Sequence, residues 1–138
     1  MLKEIRVKDY ALLGDVSVHF SDGLHVFTGE AGAGKSLLAG ALGLLLGQKA
    51  TDNVIRHGAK EAHVYGLIQI HPESQAADWL SQHDIDLDNG ELLVQRIVKM
   101  QGRTHAYLQA HPISTQDLTE FMAMLFDMHG QHENQSLY

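Results

Sequence analysis

The sequence predicts a mixed α/β fold in which one glycine-led helix stands beside a large antiparallel sheet. Three observations carry that expectation. The string Gly29, Glu30, Ala31, Gly32, Ala33, Gly34, Lys35, Ser36 matches G-x-x-x-x-G-K-[ST], the spacing of a phosphate-binding loop. The β-prone run Leu24-His25-Val26-Phe27-Thr28 leads into it, and the Leu- and Ala-rich stretch 36–46, free of Pro, leads out as a helix. Elsewhere apolar runs follow one another across turn signals, without the regular strand–helix alternation of a doubly wound parallel sheet.

Taken in order, Ile5-Arg6-Val7 and Val16-Ser17-Val18-His19-Phe20 alternate as strands, and Ser21-Asp22-Gly23 turns the chain into the run at 24–28. After the helix, residues 47–58 form a polar connection ending in Ile55-Arg56-His57-Gly58. Residues 62–71 read as a strand closed by Pro72, and 74–82 as a short amphipathic helix carrying Trp79 and Leu80. Asp88-Asn89-Gly90 is a turn, 92–100 a strand, Gln101-Gly102 a hairpin signal, and 104–109 the antiparallel return. Pro112 breaks the chain. Ser114 can cap a helix through Leu125, with Leu118, Phe121, Met122 and Leu125 at helical spacing. A last short strand, Phe126-Asp127-Met128-His129, runs into Gly130-Gln131. No internal repeat, low-complexity tract or domain linker interrupts the chain.

The loop motif has a definite chemistry. Gly29, Gly32 and Gly34 let the backbone take positive φ and bring its N–H groups close to phosphate oxygens. Lys35 adds a mobile point charge for the β- and γ-phosphates, and Ser36 offers a hydroxyl to Mg²⁺. The helix that follows turns its positive pole toward the anion.

Composition narrows the rest. The 138 residues suffice for one domain with a real core, and 44% hydrophobic and 20% charged residues are ordinary globular values. Without cysteine there is no disulfide framework and no thiolate metal site. The start, Met1-Leu2-Lys3-Glu4-Ile5, lacks a signal-peptide apolar region, and the longest apolar stretch, 37–46, is too short to span a bilayer. These features fit a soluble intracellular protein without membrane contact. Net charge is −7 with ten Lys and Arg, and no basic stripe of the kind that marks a nucleic-acid footprint is visible. Among ten histidines, His129 and His132 beside Glu133 invite a metal reading. Gly130 breaks the helical spacing such a site wants and no further ligand is evident, so polar loop histidines are the favoured reading.

A phosphate-binding loop beside an antiparallel sheet suits ABC-type ATPase heads. The opening Leu2-Lys3-Glu4-Ile5-Arg6-Val7-Lys8-Asp9-Tyr10, the turn Phe20-Ser21-Asp22-Gly23-Leu24 and the loop at 29–36 resemble the amino-terminal head segment of SMC-type proteins. Three further strings resemble the RecN family of bacterial DNA repair proteins in particular. They are Ala41-Leu42-Gly43-Leu44-Leu45-Leu46-Gly47, Ile55-Arg56-His57-Gly58-Ala59, and His129-Gly130-Gln131-His132-Glu133-Asn134-Gln135-Ser136-Leu137. Two positions depart from that pattern: Asp9-Tyr10 stands where Asn-Phe is expected, and Gly40 where an acidic residue is common. Gly40 also weakens its helix by about 1 kcal/mol relative to Ala.

The resemblance implies that residues 1–138 form the amino-terminal lobe of an SMC-like head, with the coiled coil and carboxy-terminal lobe absent from this stretch. It implies ATP and Mg²⁺ as ligands, bound by residues 29–36. It places Gln131 as the Q-loop glutamine, which with Ser36 contacts the metal and helps position the attacking water, while Lys35 serves the reaction at the β- and γ-phosphates. A neutral amide has the groups for both of the glutamine's tasks. By spacing alone Gln131 also fits a turn-capping residue. Arg56 falls where such heads approach the nucleotide or the facing head, and a solvated loop arginine fits equally well. The implied partners are the carboxy-terminal half of the same head, a second head in a homodimer, and DNA through the whole protein. The implied setting is the cytoplasm, on the nucleoid, in double-strand break repair and recombination.

A Walker-B strand, four apolar residues ending in Asp-Glu, does not occur in the chain, nor does Leu-Ser-Gly-Gly. Phe126-Asp127 is followed by Met128 rather than a second acid. The chain therefore reads as half of a repair ATPase head, either a truncated piece or an incomplete gene product. The alternatives are a nucleotide-binding and interaction module without turnover, or another SMC-type or P-loop ATPase. A stand-alone kinase or GTPase would need a base-specificity motif or phosphoacceptor lid, and neither is present.

Overall fold

The computed structural model describes residues 1–20, 32–50 and 52–126. Six strands form one sheet in the order β2-β1-β3-β4-β5-β6, every neighbouring pair antiparallel. The strands are β1 (Leu2–Tyr10), β2 (Leu13–His19), β3 (Glu61–Gln69), β4 (Glu91–Lys99), β5 (Thr104–Leu108) and β6 (His111–Ile113). Among the described residues three α-helices accompany them: α1 (Gly32–Leu45), α2 (Gln75–Gln82) and α3 (Thr115–Ala123).

Alternation decides which face each strand buries. Ala62, Val64 and Ile68 of β3 lie fully inside, as do Leu92, Val94 and Val98 of β4, while the intervening residues are half-buried or exposed. This inner face carries α1. Leu42, Leu44 and Leu45 join Ile5, Val7 and the β3 and β4 side chains in one core. Such a face is the expected result of a period-two pattern on a sheet covered on one side only.

The turns obey their chemistry. Asn89 and Gly90 both take positive φ (53° and 78°), as do Gln101 and Gly102 (65° and 75°), which is what tight hairpin turns of the primed type require. Ser74 and Ser114 cap α2 and α3 by accepting from the backbone N–H of Ala77 and Asp117. Trp79 of α2 lies 5.0 Å, ring centre to ring centre, from Phe121 of α3.

Several expectations are corrected. Helix α1 begins at Gly32 rather than Ser36, so Gly32 and Gly34 of the loop motif already belong to its first turn. Pro112 does not break the chain; it sits within β6 opposite Tyr107. Among the described residues β6 is an edge strand, and its outer side has no neighbour to which a backbone N–H would be donated. Helix α3 stops at Ala123, and Phe126 lies buried in a bend whose N–H donates to the Met122 carbonyl, not in a strand. The expected strand at 24–28 and the stretch 127–129 lie outside the described residues.

Candidate nucleotide-binding site

Of the loop motif, Gly32, Ala33, Gly34, Lys35 and Ser36 open α1, while Gly29, Glu30 and Ala31 lie outside the described residues. Ser36 is exposed in the second turn, where its hydroxyl is open to a ligand. The first N–H groups of a helix have no intrahelical partner. In α1 these belong to the motif itself, so backbone donors and the helix's positive pole coincide with the glycines. Gln131, His129 and His132 lie outside the described residues. Among the described residues no three His, Asp or Glu side chains gather as a metal cluster.

What the structure shows most fully is how α1 is held. Three close approaches seat it. A Cβ at Gly66, in the middle of β3, would come within 2.7 Å of Leu45 Cδ1, so the missing side chain lets the helix settle on the sheet. A Cβ at Gly40 would lie 2.7 Å from the Tyr10 hydroxyl. The two departures noted in the sequence are thus one contact: the extra hydroxyl on β1 occupies the space that a side chain at 40 would fill. Burial pushes the Tyr10 pKa up, as expected for a phenol only 3% exposed. At the far end Gly47 takes φ of 97°, ends the helix, and lies against Thr119 of α3, whose backbone N would be 3.0 Å from an added Cβ.

A fourth anchor is polar. Arg96 is 1% exposed and occupies the inward register of β4 between Val94 and Val98. Its Nη1 donates to the carbonyls of Leu44 (2.7 Å) and Gln48 (3.0 Å), and Nη2 to Thr104 Oγ1 (3.1 Å). Burial lowers its pKa from the ordinary arginine value. Sequence reasoning missed it, though a signal existed: Leu92, Val94, Arg96 and Val98 share one parity, and a cation in that series must find partners inside.

Arg56 is exposed; its backbone N–H donates to the Asp9 carbonyl, and its guanidinium lies across Gly14 of β2. The β1–β2 hairpin thus supports the loop that carries it.

This architecture is that of the SMC-type ATPase head. A chain from a study of ATP-driven dimerization and DNA-stimulated activation of SMC ATPases superposes with a TM-score of 0.69 at 18% identity, covering 97% of this chain and 88% of that one. The recombination mediator protein RecF with ATP gives 0.58 at 19% identity, over 85% of this chain and 29% of that one. In sequence the chain is RecN-like over essentially its whole length. The DNA repair protein RecN of Xylella fastidiosa is 36% identical over 137 residues, 99% of this chain and 24% of that protein. RecN of Treponema pallidum is 34% identical over 139 residues, and RecN of Bacillus subtilis 31% over 137, each again covered to 24% of its length. The chain thus spans about a quarter of the relatives it matches. No family model matches it. No helix among the described residues is long and apolar enough to cross a membrane.

Proposed function

We propose that this chain is the ATP-binding lobe of a RecN-like repair ATPase. Residues 29–36 cradle the triphosphate of Mg-ATP, Lys35 meets its β- and γ-phosphates, and Ser36 and Gln131 contact the metal. The observation that carries this reading is the start of α1: Gly32, Gly34 and Ser36 of the motif open a helix seated on the inner face of a sheet with the fold of SMC-type heads. Free N–H groups, the helix pole and an exposed Ser36 hydroxyl then converge where phosphate and Mg²⁺ would lie.

In the complete protein, ATP binding brings two such heads together and hydrolysis releases them, in the service of double-strand break repair and recombination. The carboxy-terminal half of the head, a second copy and DNA are the partners this assigns, and a cytoplasmic, nucleoid-associated protein is the setting. Phosphoryl transfer of this kind is positioning plus charge stabilisation, with the protein supplying amides, a lysine and a metal shell.

Changing Lys35 to Ala removes the cation of the phosphate loop. A charge-assisted contact to phosphate is worth about 1.5–3 kcal/mol, so Mg-ATP affinity should fall about 10- to 100-fold. The apo melting temperature should hardly move. Titration calorimetry on the 138-residue chain and its variant reads the affinities and thermal melts read the stability; equal affinities would sink the assignment.

A further inference from the structure

Among the described residues, Arg96 is the one charged side chain inside the core. No carboxylate among them pairs with it; its partners are two carbonyls and a hydroxyl, and its Nε has no partner. Packing does not account for such a group, because a well-fitted apolar residue in place of a buried charge is often neutral or stabilising. What a guanidinium adds is a rigid planar fork that fixes acceptors in direction as well as distance. The Leu44 carbonyl lies in the last turn of α1 and the Gln48 carbonyl in the chain just past its end. A cation there complements the negative pole of the helix whose positive pole lies at the loop motif.

Leu44 stands ten residues beyond Gly34, about 15 Å along the axis at 1.5 Å per residue. Over that length a helix behaves as a stiff lever, so where its far end is pinned decides where its first amides point. Leu45 on Gly66 presses the same end onto β3 through apolar contact, but such a contact leaves sliding and rotation soft. The Arg96 fork, steadied by Thr104 from β5, removes that freedom.

We propose that Arg96 is a positioning residue for nucleotide phosphate, bracketing the carbonyls of Leu44 in the last turn of α1 and of Gln48 just past it so that the phosphate loop at the other end of the helix stands in register with its ligand. The proposal rests on the nucleotide-binding reading above. It separates two roles on one helix: Leu45 docks it, and Arg96 aims it.

The test compares the 138-residue chain with Arg96→Met, Arg96→Lys and Thr104→Val, measuring Mg-ATP affinity at a temperature where melting curves show each one folded. Arg96→Met keeps length and apolar stem; it should bind Mg-ATP about 10-fold more weakly, since small displacements of binding groups are costly. Arg96→Lys, a point charge able to hold one carbonyl, should recover part of the loss. Thr104→Val, which leaves the arginine but frees one arm, should lose about 2- to 3-fold, less than a full charge-assisted contact. Wild-type affinity in Arg96→Met overturns the proposal. Should that variant fail to fold, wild-type affinity in both Arg96→Lys and Thr104→Val overturns it instead. Equal Mg-ATP affinity in the wild-type chain and Lys35→Ala would bring down the nucleotide-binding reading and this inference with it, a result distinct from failure of the Arg96 series alone.

Discussion

Purified as it stands, the 138-residue chain should release phosphate from ATP no faster than its Lys35→Ala variant. It supplies the loop amides, Lys35, Ser36 and Gln131, but no Walker-B pair of acids to complete the metal shell and activate water. Nor does it carry the Leu-Ser-Gly-Gly signature that in SMC-type heads completes the site from the opposing head. A single group supplied in trans carries about 10³–10⁵ in related nucleotidases, so losing both sets together should remove several powers of ten. Adding the carboxy-terminal half of the head should restore turnover, with a steep dependence on protein concentration because two heads must meet. Steady-state phosphate release measures this directly. Robust release by the chain alone that disappears in Lys35→Ala would mean the lobe holds a complete site.

Replacing Gln131 by Ala in a complete head should lower kcat about 100-fold or more, the scale of a group that orients the reacting water, while nucleotide binding changes little. An interaction made mainly in the transition state appears in kcat, not in ground-state affinity. Pre-steady-state measurement of bound nucleotide and of its turnover separates the two. If affinity collapses and kcat per bound nucleotide holds, Gln131 is a structural residue and its place at the metal is wrong.

Local chemistry made much of the fold legible. The alternation in β3 and β4 marks both strands and their buried face, and Asn89-Gly90 and Gln101-Gly102 mark hairpins because their backbones need positive φ. Ser74 and Ser114 mark helix starts through their caps. What stayed hidden is set by contacts distant in sequence. Helix propensity puts α1 after the glycines, yet the helix takes in Gly32 and Gly34, a choice propensity opposes. Gly40 looked like a weak point in a helix and proves to be the space for a hydroxyl thirty residues earlier. Gly66, unremarked within its strand, proves to be the seat of Leu45. Pro112 reads as a breaker until the strand is known to lie at an edge. At the proposed site, the motif nominates its residues from spacing alone, because phosphate geometry dictates the spacing. The spacing could not name Arg96, which serves the loop from the opposite end of its helix.

The sheet order has a kinetic consequence. The run β3-β4-β5-β6 pairs strands that follow one another along the chain, and β1 and β2 form their own hairpin. Only β1 with β3 joins distant partners, from Leu2 opposite Ile68 to Lys8 opposite His63. The chain between β1 and β3 contains α1 and the whole loop motif, so closing that one ladder carries the entropy of a long loop. The two local sheets should therefore gain protection first in pulse-labelled hydrogen exchange, with α1 protected only when they zip together. The phosphate site would then be the last part of the molecule to exist, born at the seam between two preformed pieces.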